Sequence, residues 1–479
     1  MRLSDAKLFL ACLSLVLLAG CATRPVNPNI HKVDTSAGYR FERHQISKQT
    51  KDNLVILSFS GGGTRAAAFS YGVLEFLRRT KMVGPLGNQG RLLDQVDVIT
   101  GVSGGGFTAL AYGLYGERLF DEYEKRFLKR NVQGELIASV LNPLHWAALL
   151  SRTSGRSELA AKLYDKILFN GATYADLSRG GGPFISVSAT DITNGSRVPF
   201  TQDFFDLLCS NLSSVPLSRA AAATSAVPVA LSPVTLNNYG GTCEYTPADW
   251  IKPFIQSINP PRPAARPLHE LELASIYEDG ARRPYLHLVD GGVSDNLGMR
   301  GVLESLETLE TLHDLGAPTP LDSARRIVVF VVNSLSSPPT DWDKHERPPG
   351  TLGVLLQASG VPIDHYSYEA TELLKDTAAR WRALRQLRDS KAFVSNRDPA
   401  VDLLLRVPNA EIYAIDVSFA QLKDKDEVKY LNKQPTSFAL PSEAVDRLRA
   451  AAGEIILESP EFQRLVKDTD ATTVAPQPK

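Results

Sequence analysis

Asp97–Leu110 reads DVITGVSGGGFTAL: the close of a strand, a sharp glycine turn and the start of a helix. Val96, Val98 and Ile99 are β-branched and apolar, as suits a strand buried in a parallel sheet. Gly101-Val102-Ser103-Gly104-Gly105 breaks the run, and Phe107 to Tyr112 can start a helix. Strand, turn and helix in that order are the context a G-x-S-x-G nucleophile elbow requires. Glycines flank the serine because so tight a turn leaves neighbouring side chains no room. The helix behind Ser103 turns its free N–H groups and positive dipole end toward the reaction centre. Roughly one chain in five of this length carries such a pentapeptide by chance. On its own it therefore also reads as an ordinary tight turn with an idle serine.

A second loop has the same grammar. Leu54–Phe59, LVILSF, is a continuous apolar run of strand length. Ser60-Gly61-Gly62-Gly63-Thr64-Arg65 follows, and Ala66–Leu77 has apolar residues at helical spacing. Glycines there let backbone N–H groups crowd an anion at a helix start, which is what an oxyanion hole needs. A dinucleotide fingerprint is disfavoured, because Ala66 holds its last glycine position and no acidic residue follows a second strand at the required distance. A plain tight turn is the other reading. Arg65 suits a structural ion pair better than a phosphate ligand.

The third stretch is Tyr285–Val289, YLHLV, a strand ending in Asp290-Gly291-Gly292. An acidic residue at the carboxyl end of a strand sits where open α/β sheets place their chemistry. Asp279-Gly280 is a rival with weaker strand character before it.

Composition narrows the class. The chain has 479 residues, 43% of them hydrophobic, enough for a large core. Lys+Arg 52 against Asp+Glu 53 leaves no basic excess for nucleic acid. Strands alternating with helical stretches indicate an α/β class. Arg2 and Lys7 precede the apolar run Leu8–Leu18, too short to span a bilayer comfortably. Leu18-Ala19-Gly20-Cys21 then resembles a bacterial lipobox, in which the cysteine becomes lipidated. Residues 1–20 are therefore read as a lipoprotein signal peptide and residues 21–50 as a lipidated tether. Ala22 after Cys21 favours the outer membrane of a bacterial envelope by the same resemblance. Cys209 and Cys243 remain after Cys12 leaves with the signal and Cys21 takes the lipid. In an oxidising compartment such an even pair is expected to form a disulfide. No metal site is expected, since no histidine cluster or acidic ligand loop occurs.

Elsewhere, Leu136–Tyr164 reads as helical with breaks at Pro143 and Gly155. Its Leu144, Trp146, Leu149 and Leu150 are expected in the core rather than on a lipid-facing cap. Phe184–Ala189 is a strand, Ser218–Val229 a small-residue helix halted by Pro228, and Pro253–Pro267 a surface excursion. Ile327–Val332 is another buried strand. Tyr366–Leu387 and Ser442–Leu457 are long helices, and Glu411–Val417 a last strand.

In order, the glycine loop with Arg65, the elbow with Gly101 and Gly105, and Asp290-Gly291-Gly292 resemble the patatin-like phospholipase family. Asn296 and Ala226-Val227-Pro228 look like further family features. Ser60 and Ala66 depart from the family, where many members have Asp and Gly. The resemblance implies a three-layer α/β/α fold with a mostly parallel sheet over residues 51–335. Residues 336–479 would be a mainly helical C-terminal α+β extension. It implies Ser103 as nucleophile, Asp290 as base, and the amides of Gly61, Gly62, Gly63 and Thr64 as oxyanion hole. The expected activity is hydrolysis of lipid acyl esters through an acyl-serine, without a cofactor. An acyltransferase with the same dyad and a non-catalytic envelope scaffold are the alternatives. A Ser-Asp-His triad is the rival mechanism, because His313, His345 and His365 follow Asp290. His313 lies in a helical run, the other two near a proline-rich loop and a helix start. His287 should face away from Asp290 by strand alternation.

Overall fold

A continuous apolar run is stable as a strand only where both faces are covered, and here several such runs lie side by side. The structure, a computed structural model, describes residues 24–46, 53–83, 89–149, 151, 155–247, 264–317, 319–336, 342–391 and 407–469. Within them one sheet contains β1 (Asn53–Phe59), β2 (Val96–Gly101), β3 (Phe184–Asp191), β4 (Arg197–Pro199), β5 (Val234–Asn237), β6 (Tyr285–Val289), β7 (Arg326–Asn333) and β8 (Glu411–Ser418). The order is β8-β7-β1-β2-β3-β6-β5, with β4 paired to β3. From β8 to β3 the strands are parallel, whereas β4, β5 and β6 join antiparallel.

The helices that matter below are α1 (Gly63–Arg79), α2 (Ser103–Tyr115), α3 (Val132–Leu141), α4 (Arg156–Tyr164), α5 (Leu217–Thr224), α6 (Arg300–Asp314), α7 (Thr351–Arg388) and α8 (Ser442–Glu458). They cover the sheet on two sides, following the two-residue period of the strands. Val328, Phe330 and Val332 join Leu57, Phe59 and Ile415 in a core shared with α1, α2 and α8. Ile327, Val329 and Val331 point the other way, to Leu303 and Leu306 of α6 and Leu374 and Trp381 of α7. The chain therefore has the three-layer α/β/α architecture with a mostly parallel sheet.

Two parts differ from the sequence reading. Residues 24–46 lie against the domain rather than hanging free as a tether. Tyr39 is buried, stacks on Phe184 with ring centroids 4.8 Å apart, and accepts the Ile185 N–H at 2.6 Å. Arg40 is buried between Asp203 and Asp206. Sparse apolar residues hid this packing, since polar side chains such as Asn27 and Arg40 share it with Tyr39 and Phe41. The C-terminal extension is not simply laid over the domain. Its β8 pairs with β7 from Glu411↔Arg326 to Ser418↔Asn333, so the sheet runs through the expected boundary. Most of the expected excursion Pro253–Pro267 lies in 248–263, outside the described residues, and a helix, Ala265–Ser275, starts at its end.

Smaller differences concern length. The long helix begins at Thr351, not Tyr366, and carries Pro362 inside it. Cys209 and Cys243 form a disulfide, with Cα atoms 5.4 Å apart. Cys21 lies outside the described residues. Among the described residues, no helix is long and apolar enough to cross a membrane.

The shared sheet yields a prediction. Ending the chain at Ser336 would strip β8 from β7 and uncover an apolar edge, a strong aggregation signal. The truncated protein is expected in the insoluble fraction, as measured by solubility and thermal unfolding. A soluble product with a cooperative melt would contradict this.

Candidate active site

Ser103 follows the end of β2 by two residues and opens α2. Its φ is +48°, a conformation that costs a non-glycine residue free energy and persists only where the surroundings enforce it. The glycine loop supplies part of that enforcement. A β-carbon on Gly104 would lie 1.9 Å from the Gly63 carbonyl oxygen, so only glycine lets the two loops touch. Gly62 has φ +136°, which a side chain would strain. The Gly105 N–H donates to the Ser60 carbonyl at 3.1 Å, tying elbow to loop again.

Asp290 reaches this point because β6 is antiparallel. β3 pairs with β2 as far as Val187↔Gly101 and continues past it. β6 runs back along that overhang, with Val289 opposite Thr190. Asp290 therefore arrives level with Ser103, on the other side of β3. Its backbone N–H donates to the Ala226 carbonyl at 2.9 Å, and Thr190 Oγ1 donates to its carbonyl at 3.0 Å. Gly292 N–H donates to Asp290 Oδ1 at 2.8 Å, and the Ser103 side chain is close enough to stabilise the same carboxylate. Burial pushes the Asp290 carboxyl up to about 6, and these two groups partly oppose that rise. No histidine is among the groups acting on it.

Thr224, at the end of α5, holds both halves of the pair and was not singled out from the sequence. Its Oγ1 accepts the Ser103 N–H at 2.9 Å and donates to the Ser188 carbonyl at 2.6 Å. Its carbonyl accepts the Gly291 N–H at 3.1 Å. A threonine in a run of alanines carries no local sign of this role. Tyr164 of α4 is also close by. Burial, helped by the Asp290 charge, pushes its phenol above the ordinary value.

The four amides expected to form the oxyanion hole divide into two pairs. Gly61 N–H donates to the Asn296 carbonyl at 2.9 Å, and Thr64 N–H to the Ser437 carbonyl at 2.8 Å. Those two are committed to holding the loop. The amides of Gly62 and Gly63 have no acceptor among the described residues, and the buried Thr64 hydroxyl has no partner there either. Asn296 thus serves the glycine loop through its carbonyl.

Arg65 is buried and structural. Its Nε donates to Ser334 O at 2.7 Å, Nη1 to Gln434 O at 2.7 Å, and Nη2 to Thr436 Oγ1 at 3.2 Å. Burial lowers its guanidinium to about 10. These acceptors lie in the loop after β7 and in the C-terminal extension, so sequence spacing could not announce them. Phe438, next along, packs on Phe107 and Phe127 beneath the elbow, with centroids 5.5 and 6.2 Å away.

The remaining candidates lie elsewhere. His287 Nδ1 meets Thr235 Oγ1 on an exposed strand face, and His313 Nδ1 meets Asp322 at 3.0 Å. Asp279 pairs with Arg282 on the surface. Among the described residues no group of three His, Cys, Asp or Glu side chains is placed to hold a metal ion.

A family model described as patatin-like phospholipase matches residues 57–303. No curated protein matches the chain. Among solved structures, human GIVD cytosolic phospholipase A2 is similar at 13% identity and a TM-score of 0.45, over 94% of this chain and 66% of that one. The chain thus spans just under two thirds of that structure's length. The same human protein in complex with methyl gamma-linolenyl fluorophosphonate and terbium chloride gives 14% identity and a TM-score of 0.43, over 93% and 66%. VipD from Legionella pneumophila gives 11% and 0.24, over 95% and 82%.

Two predictions follow from the geometry. Folded Asp290 keeps its proton to about pH 6, while the unfolded chain releases it near 3.8. The folded state therefore loses stability as pH rises between those values, and the whole penalty stands above pH 6. Asp290→Asn should remove it. Chemical denaturation at pH 8 should find the variant more stable, by on the order of 3 kcal/mol at most, with the gain fading below pH 6. A variant less stable at pH 8 would contradict this. Thr224→Val keeps the shape but leaves the Ser103 N–H and Ser188 carbonyl unpaired, costing about 1–3 kcal/mol. Any turnover should fall mainly in kcat, with KM little changed.

Proposed function

We propose, from the premise that this chain belongs to the patatin-like phospholipase family, that it hydrolyses lipid acyl esters with Ser103 as nucleophile and Asp290 as base. The observation that carries this reading is a buried carboxylate, its pKa raised by burial, placed close enough to the elbow serine for the Ser103 side chain to act on it. Above about pH 6 Asp290 is ionised and can take the serine proton as Ser103 Oγ attacks the ester carbonyl carbon. The oxygen that gains charge is held by the Gly62 and Gly63 amides, aided by the positive end of α2. As the tetrahedral centre collapses, the carbon–oxygen bond to the alcohol breaks and Asp290 returns the proton to that alkoxide. Water then attacks the acyl-serine, again giving its proton to Asp290. Collapse releases the carboxylic acid and restores the Ser103 hydroxyl.

We place this chemistry in a bacterial envelope, with the chain anchored through lipid on Cys21. The disulfide between Cys209 and Cys243 supports an oxidising compartment. An acyltransferase would share every step up to the acyl-serine and differ only in the acceptor.

Incubation with a fluorophosphonate is the direct test. Intact-mass and peptide analysis should place one adduct on Ser103, absent from Ser103→Ala and at least about a hundredfold slower in Asp290→Asn. Envelope phospholipids should release free fatty acid. Failure of folded protein to label would favour a scaffold, and acyl transfer to a second lipid without fatty acid release would favour the acyltransferase.

A further inference from the structure

Leu144 and Trp146 were expected in the core, yet they stand in solvent, 87% and 48% exposed. Ile137 and Leu141 on α3 are 52% and 68% exposed. From Leu136 to Ser151 the chain carries no Asp, Glu, Lys or Arg. Four large apolar side chains on an uncharged turn are unusual for a surface in water.

Several polar groups of the turn are satisfied from within. Asn142 N–H donates to the Ala138 carbonyl, and Asn142 Oδ1 accepts the Leu144 N–H at 3.0 Å. His145 Nδ1 donates to the Ser139 carbonyl at 2.8 Å. That is the condition for a segment to enter a layer without water, where each unpaired backbone group is costly.

The turn is continuous with the candidate active site. Gln133, in the first turn of α3, donates its N–H to the Phe438 carbonyl, and its Oε1 accepts from Ser437 Oγ and the Phe438 N–H. The Ser437 carbonyl holds Thr64 of the glycine loop. Leu141 therefore stands about 12 Å along the helix axis from the loop that fixes the oxyanion amides. Val229 and Val293, each within three residues of Asp290 or its Ala226 partner, are also exposed.

The described chain begins beside the helix that α3 packs against. Arg24 hydrogen-bonds Thr235 O, lies over the exposed Tyr285 ring, and is close enough to act on Glu158 of α4, against which α3 packs. Cys21 is three residues earlier in the sequence, a reach of at most about 10 Å.

We propose that the turn carrying Ile137, Leu141, Leu144 and Trp146 docks this chain on a phospholipid bilayer, apolar side chains down, and so presents the Ser103–Asp290 site to the lipid surface. The proposal rests on the lipid-ester reading above. Trp146 suits the headgroup boundary, where its ring is apolar and its N–H stays wet. A lipid on Cys21 would hold the same face against the leaflet that carries it.

The test uses the full chain and vesicles of phosphatidylethanolamine and phosphatidylglycerol with brominated acyl chains. The emission lost in Trp146→Phe identifies Trp146, and bromine should quench it. The triple variant Leu141→Gln, Leu144→Gln, Trp146→Gln should hydrolyse dilute p-nitrophenyl butyrate within about twofold of the parent and lose about tenfold or more on vesicles. Unquenched Trp146, or equal vesicle rates, would overturn docking. Self-association that the triple variant abolishes, without vesicle quenching, would assign the face to a second copy instead. If the parent hydrolyses neither ester, the catalytic reading fails, and quenching alone decides the docking.

Discussion

A carboxylate buried without a cation is costly, and the candidate site is built around one. Asp290 has burial against it and only neutral groups for it, the Gly292 N–H and the Ser103 side chain. A group in that state holds its proton more tightly than a solvated aspartate does. This is the property a direct proton acceptor for serine needs near neutral pH. The rest of the arrangement supplies the geometry that such a pairing requires. β3 overshoots β2, β6 returns along the overhang, and Thr224 bonds to both sides.

The C-terminal extension enters the same economy of contacts. β8 completes the sheet beside β7, and α8 packs on α1. The loop at 434–438 then reaches over to Arg65, Thr64 and the rings beneath the elbow. Three guanidinium hydrogen bonds fix the glycine loop at its base, while the Gly62 and Gly63 amides have no acceptor among the described residues. A rigid base and open donors are what electrostatic stabilisation of a developing oxyanion requires. The domain and its extension thus share one sheet and one site.

Much of this was legible in the chain because local sequence sets local geometry. LVILSF and IVVFVV can be little else than buried strands, and each glycine motif follows a strand end. Other parts were hidden because they depend on distant partners. Nothing near Arg65 indicates that Ser334, Gln434 and Thr436 accept from it. Nothing near Thr224 distinguishes it from the alanines before it. Tyr39 looks like part of a polar leader until Phe184 is placed beside it. Leu144 and Trp146 mislead in the opposite sense, since hydropathy reports a preference for burial and not whether protein or another apolar phase provides it.

The most direct measurement of the central claim is the titration of Asp290 itself, read by isotope-edited infrared spectroscopy of its carboxyl group. The account predicts a midpoint near pH 6 in the parent protein, moving higher in Ser103→Ala as one group stabilising the carboxylate is lost. A midpoint near 4, unmoved by removal of the serine hydroxyl, would mean that carboxylate and alcohol are not the coupled, desolvated pair described.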